Sequence, residues 1–164
     1  MKKAFPIGLI ILGLVFVGAG FYTVYRGFDA KDQVKTELVA QNIVTPGDAS
    51  IPNTQVRSVA TAQSMADIIN EHALNATGGL TYAEMDREDP ARQTALNAAN
   101  LRTSLYTSIM AFQVGDLVIG LGLMIVVMGL AVGGLGVVLL TLIDPVLAQK
   151  VHVHPVIEED LVTV

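Results

Sequence analysis

Two long stretches without a charged residue constrain the fold more than any other feature of the sequence. The first runs over 22 residues from Ala4 to Tyr25, and the second over 27 residues from Leu117 to Ile143. An α-helix rises about 1.5 Å per residue, so roughly 20 apolar residues cross the hydrocarbon core of a bilayer. Each stretch is therefore long enough to form one transmembrane helix.

The segment between these stretches differs from them in composition. Charged residues make up 15% of the chain, compared with about 25% in soluble domains, because residues 4–25 and 117–143 contain none. Residues 26–116 have an ordinary soluble composition. We therefore predict an all-α membrane protein with a small, mostly helical extracytoplasmic domain at 26–116, a cytoplasmic N-terminus at 1–3 and a cytoplasmic tail at 144–164.

The first apolar stretch has two interpretations. Lys2 and Lys3 precede it, and the small residues Gly18 and Ala19 resemble a signal-peptidase cleavage site. The apolar run continues to Tyr25, however, which is longer than a signal peptide requires. This excess length favours an uncleaved anchor, with Phe21, Tyr22 and Tyr25 at the level of an interfacial aromatic belt.

The orientation follows from loop length rather than from charge. Lysine and arginine residues lie on both sides of the spans, so their count favours neither direction. Loops longer than about 60 residues translocate largely regardless of charge. We therefore expect a multi-pass protein of the cell membrane with both termini in the cytoplasm and the loop outside.

The middle of the chain carries helical signals. Residues 30–40 contain good helix formers that can extend the first span, and residues 60–75 place an apolar stripe at helical spacing. Between them, residues 45–48 indicate a turn, and residues 49–59 are expected to be irregular or extended. Thr81 and Glu84 form a capping box that predicts a short helix. We expect a longer helix from Pro90 to Ile143, ended by Asp144 and Pro145.

Several blocks of this chain are similar to a known group of sequences. They are residues 63–84, residues 89–92 and the segment 101–108 before the glycine-rich span. With these blocks the chain resembles small actinobacterial two-span membrane proteins often labelled "aromatic ring-opening dioxygenase" by automatic pipelines. The resemblance covers about two thirds of the chain and implies the two-span topology. It implies no particular activity.

The residues themselves argue against ring-opening chemistry. Such a site needs two histidines and a carboxylate around iron, and the predicted topology separates His72 from His152 and His154. The chain has no cysteine, which excludes thiolate metal sites and thiol nucleophiles. Its ten basic residues are scattered and its net charge is −5, which argues against nucleic acid as a partner. We expect no catalytic residue, cofactor or metal.

Four residues are candidates for interaction. His72 lies on the apolar stripe beside Glu71, where we expect a hydrogen bond to Glu84 or to a backbone carbonyl in preference to a metal. Asp116 is the only charge between Arg102 and Asp144, and we place it at the outer end of the second span. The remaining two are the small residues of a helix-packing motif, Gly129 and Gly133.

The glycine motif leaves its partner open, because it can pack against the first span or against another subunit. In the first span, Gly8, Gly13 and Gly18 recur every five residues, which lines no single helix face and predicts no dimer seam there. Near the C-terminus, residues 151–157 alternate like a short strand with both histidines on one side, although a disordered tail is favoured.

Two functions from different classes fit these features. The first is a non-enzymatic accessory or scaffolding subunit of a larger membrane assembly, in contact with the bilayer and with a membrane-protein partner or further copies of itself. The alternative is a membrane-anchored binding or sensing module, in which the external helices hold a ligand near His72, Asp67 and Glu84.

Overall fold

The chain forms three α-helices within the residues that the structure describes. The computed structural model describes residues 3–151, and the side chains of residues 3–142. The helices are α1 (Ala4–Ala40), α2 (Val59–Ala76) and α3 (Arg92–Val151). No β-strand occurs in residues 3–151, where Val44 and Gln55 form an isolated antiparallel bridge. The prediction of an all-helical chain with two long apolar helices is confirmed, since α1 and α3 are both apolar and long enough to cross a membrane.

The helix boundaries agree with the sequence patterns except at the two ends of α3. Residues 30–40 extend α1, and α2 matches its predicted range to within one residue at each end. Helix α3 begins at Arg92 rather than at Pro90, and it continues through Pro145 to Val151. The prediction that Asp144 and Pro145 end this helix is therefore wrong. A proline removes one backbone N–H donor, and long apolar helices tolerate this loss.

The capping box at Thr81 does not begin a helix, so that prediction is also wrong. The Glu84 carboxylate accepts hydrogen bonds from the Thr81 amide (2.8 Å) and hydroxyl (2.7 Å). The Glu84 amide in turn donates to the Thr81 carbonyl, at 3.0 Å, and closes a turn. Among the described residues no backbone amide donates to the Thr81 hydroxyl, whereas an N-cap side chain accepts such a bond.

Helix α2 begins with a capping box, formed by Ser58 and Thr61, that the sequence pattern did not predict. The Ser58 side chain accepts from the Thr61 amide, and the Thr61 hydroxyl accepts from the Ser58 amide. Threonine replaces the usual glutamate or glutamine at the third helical position, which is why the usual motif does not reveal it.

The chain divides into two compact units. One unit combines α1 up to Thr23 with α3 from Leu121 onward, and we call it the span unit. The other is Val24–Gly120, which we call the middle unit. It contains the rest of α1, all of α2, the start of α3 and the connections between them.

The middle unit has its own small hydrophobic core, contributed by all three helices and by the segment between α1 and α2. Its buried residues are Leu38, Val56, Ala62, Ala66, Leu105, Ile109 and Phe112. Burial of these side chains removes apolar surface from water, which is the main force that stabilises such a unit. The unit therefore holds α2 against the parts of α1 and α3 that belong to it.

The segment between α1 and α2 is irregular, as predicted, and it is ordered by one buried threonine. Thr45 is only 1% exposed. Its hydroxyl lies 2.5 Å from the Ile51 carbonyl oxygen and accepts from the Thr54 amide at 3.0 Å. Asn42 and Asn53 adopt positive φ angles of 51° and 48°, a conformation that asparagine tolerates better than most residues. This segment carries Asp48 to the side of α2.

Candidate functional site

Glycines in the span unit mark where the backbones of α1 and α3 lie against each other. A Cβ atom added at Gly129 would stand 2.7 Å from the Gly13 carbonyl oxygen and 2.7 Å from the Val17 amide nitrogen. A Cβ atom at Gly13 would stand 2.6 Å from the Gly129 carbonyl oxygen. Only glycine permits such close approach of two helices. Gly129 thus packs against the first apolar helix, one of the two partners that the sequence left open.

Gly133 has a different environment from Gly129. A Cβ atom added there would meet only the Gly13 Cα atom, at 3.7 Å, which is ordinary van der Waals contact. At Gly134 no other atom would lie within 4 Å of such a Cβ atom. Of the two glycines in the predicted motif, Gly129 alone requires the absence of a side chain.

The glycines of α1 that pack against α3 recur every seven residues, and the absence of a dimer seam in the first span stays a prediction. On α1, Gly13, Gly20 and Gly27 are seven residues apart, and all three are buried. A seven-residue period keeps side chains on the seam between two supercoiled helices. On α3 the same period occurs in a second set of buried glycines, namely Gly115, Gly122, Gly129 and Gly136.

Asp116 pairs with a lysine in the middle unit. The Lys31 Nζ atom on α1 lies 2.5 Å from the Asp116 Oδ1 atom on α3. The stem of Lys31 covers the face of Gly115, where a Cβ atom would collide with the lysine Cγ atom. Asp116 was predicted as a candidate for interaction, but Lys31 was not. The two residues are 85 positions apart, and local sequence patterns do not relate such distant positions.

His72 is exposed, and its partner is not the one predicted. The His72 Nε2 atom lies 2.7 Å from an Asp48 carboxylate oxygen, whereas Glu84 bonds to Thr81. The prediction of Glu84 or a backbone carbonyl as the partner is therefore wrong. The hydrogen bond from His72 lowers the pKa of Asp48, because it stabilises the ionised carboxylate. The segment 41–58 brings Asp48 to this histidine.

The residues proposed for ligand sensing do not share one hydrogen-bonded cluster. Asp67 accepts a hydrogen bond from Gln63 at 2.8 Å, while His72 bonds to Asp48 and Glu84 to Thr81. Residues that the structure describes contain no group of three potential metal ligands among histidine, aspartate and glutamate. His152, His154 and the alternating segment 151–157 lie beyond the side chains that the structure describes.

The geometry thus supports three local features: a close helix contact at glycines, an ion pair between Lys31 and Asp116, and a histidine–aspartate pair on the middle unit. Comparison with known proteins gives no match, either to a protein-family model, to a curated protein or to a solved structure.

Proposed function

We propose that the chain is a two-span integral membrane protein and acts as a non-catalytic accessory or scaffolding subunit of a larger membrane assembly. In this proposal the middle unit lies outside the membrane and both termini lie in the cytoplasm. The first span stays attached as an anchor. Partner proteins or further copies of the chain contact the apolar faces of α1 and α3.

The exposure of the two apolar helices supports their placement in lipid. We consider the most apolar stretch of 18 residues in each helix. Only 17% of these residues in α1 and 11% in α3 are buried within the protein. The core helix of a soluble protein would be mostly buried, since exposed apolar surface is costly in water. Lipid tails or the helices of a partner would cover these faces at no such cost.

Polar and aromatic residues give the outer boundary of the proposed spans. Phe21, Tyr22 and Tyr25 are exposed near the end of the apolar part of α1, as in an interfacial belt. The Lys31–Asp116 ion pair lies further along and is partly exposed. We place this pair at the interface, because charges within hydrocarbon are costly.

One observation supports the proposal that the chain belongs to a larger assembly. Met110 and Val114 are exposed on α3, and Leu117 and Leu121 continue the same helix face at spacings of three and four residues. Met110 precedes Asp116 by six residues, or about 9 Å along the helix, so it projects beyond the hydrocarbon core. Lipid tails would not cover this part of the stripe, but a partner helix would.

Photo-crosslinking in native membranes tests this proposal. A photoreactive amino acid in place of Met110 or Val114 is expected to form a covalent adduct with a defined protein partner, visible as a discrete band. The matched control is Ser104, an exposed position on another face of α3, which is expected to give much less adduct. If the two faces give the same adducts, or only lipid adducts form, the assembly proposal is wrong.

The alternative function is a membrane-anchored binding module. It is favoured by a feature other than His72, Asp67 and Glu84. That feature is a cavity in the middle unit, and it does not conflict with an accessory role.

A further inference from the structure

A half-open cavity of about 270 Å³ lies in the middle unit, between α2, the segment 77–91 and α3. Its walls are mainly apolar and include Leu74, Leu80 and the ring of Tyr82. The Arg92 guanidinium lies over the Tyr82 ring, 4.0 Å from its centroid, and so helps to order this wall. We propose that this cavity binds a small monocarboxylate with an apolar body.

Arg102 supplies the positive charge of the proposed site. Its side chain lines the cavity, and its Nε atom is buried without a hydrogen-bond partner in the described part of the chain. The Arg102 guanidinium also lies over the Tyr106 ring, 5.9 Å from the centroid. A buried donor without an acceptor is unfavourable. An anion in the cavity would provide that acceptor.

A carboxylate fits this arrangement better than a phosphate does. Arginine binds a carboxylate through two parallel hydrogen bonds from one guanidinium. Arg102 is the only cationic side chain among the described residues that line the cavity, so a doubly charged phosphate would remain half neutralised. Asn70 also lines the cavity, and an asparagine side-chain amide can donate hydrogen bonds.

The volume and the walls limit the size and character of the ligand. A volume near 270 Å³ limits the ligand to a small molecule. A ligand of about eight to ten non-hydrogen atoms would fill it, and hexanoate has this size. The leucines and Tyr82 would bury the hydrocarbon part, which acetate lacks.

Titration of the full-length protein in detergent micelles tests the proposal, with backbone amide chemical shifts as the measurement. Hexanoate is expected to cause saturable shifts at residues 80–83 and 95–102, with a Kd at or below about 1 mM. Acetate lacks the apolar body and hexanamide lacks the charge, so each is expected to bind at least about tenfold more weakly. Hexanoate that only partitions into micelles would shift the amides of the apolar spans instead.

Two variants locate the site, and a third serves as a control. Arg102→Gln removes the charge and is expected to weaken hexanoate binding by about tenfold or more. Ala99→Leu fills the cavity from an exposed position of α3, so the fold should tolerate it while binding is lost. Arg87→Gln removes an exposed arginine of the same segment outside the cavity and should leave binding unchanged.

Amide spectra of each variant verify that the middle unit is folded before titration. Hexanoate binding that survives both Arg102→Gln and Ala99→Leu would overturn the proposal. The absence of saturable shifts with wild-type protein, or equal affinity for hexanamide and hexanoate, would also overturn it.

Discussion

The Asp48 carboxyl depends on the fold for its acidity. The His72 hydrogen bond keeps its pKa in the folded protein below the ordinary value of 3.8. A carboxyl whose pKa falls on folding stabilises the folded state above its unfolded pKa. That stabilisation is lost as the pH falls through the lower, folded pKa. The pair therefore stabilises the position of the segment 41–58 against α2 at neutral pH but not in strong acid.

The variant His72→Ala tests this dependence. We expect the pKa of Asp48 to rise toward its ordinary value, because the variant lacks the hydrogen bond that stabilises the carboxylate. Carboxyl carbon shifts followed by NMR against pH measure the change. Glu84 is the internal control, since the hydrogen bonds that lower its pKa come from Thr81 and should persist. An unchanged pKa for Asp48 would show that the pair does not form.

The Lys31–Asp116 ion pair gives a second prediction for individual residues, which distinguishes an interfacial position from one within hydrocarbon. A double-mutant cycle with Lys31→Gln and Asp116→Asn measures the coupling free energy. At a solvated interface we expect less than about 1 kcal/mol, because exposed ion pairs are weak. Reversible unfolding in mixed micelles is the measurement. A coupling above about 3 kcal/mol would place the pair in a desolvated environment.

At the scale of helices, the two glycines of the predicted motif are expected to respond in opposite ways to the same substitution. Gly129→Ala would place a Cβ atom 2.7 Å from backbone atoms of α1, and we expect a loss of about 1–3 kcal/mol in unfolding free energy. Gly133→Ala meets only ordinary contact at 3.7 Å. It is expected to be neutral or to stabilise the helix by up to about 1 kcal/mol.

Unfolding by denaturing detergent, followed by circular dichroism, compares these variants. Gly134→Ala is the matched control, because open space surrounds that position. Equal effects of the substitutions at Gly129 and Gly133 would contradict the close contact between α1 and α3.

The helices were predictable from sequence because their signals are local, whereas their contacts were not. Apolar content and periodicity within one stretch predict α1, α2 and most of α3. The contact of Gly13 with Gly129 and the pairing of Lys31 with Asp116 join distant positions, which local patterns do not relate. Two sequence signals pointed to the contact of Gly13 with Gly129, namely the small-residue motif that contains Gly129 and the seven-residue spacing of glycines on both helices. Nothing in the sequence around Asp48 indicated its approach to His72, which depends on the course of the segment 41–58.

For the whole molecule, the proposed two-span topology requires that lipid covers the apolar parts of α1 and α3. Val127 is the informative residue, because its side chain lies in the apolar part of α3 and is 66% exposed. In water, a cysteine placed at so exposed a position would react freely with soluble reagents. In a bilayer it would face hydrocarbon and be protected.

Cysteine labelling in intact cells tests this placement most directly, since the chain contains no cysteine of its own. A membrane-impermeant maleimide is applied to two single variants, Val127→Cys and Arg57→Cys. Position 57 is exposed on the middle unit. With the proposed topology, we expect rapid labelling of Arg57→Cys from outside. We expect Val127→Cys to be protected until the membrane is dissolved and the protein is unfolded. Labelling of Val127→Cys at the rate of Arg57→Cys would contradict the membrane placement.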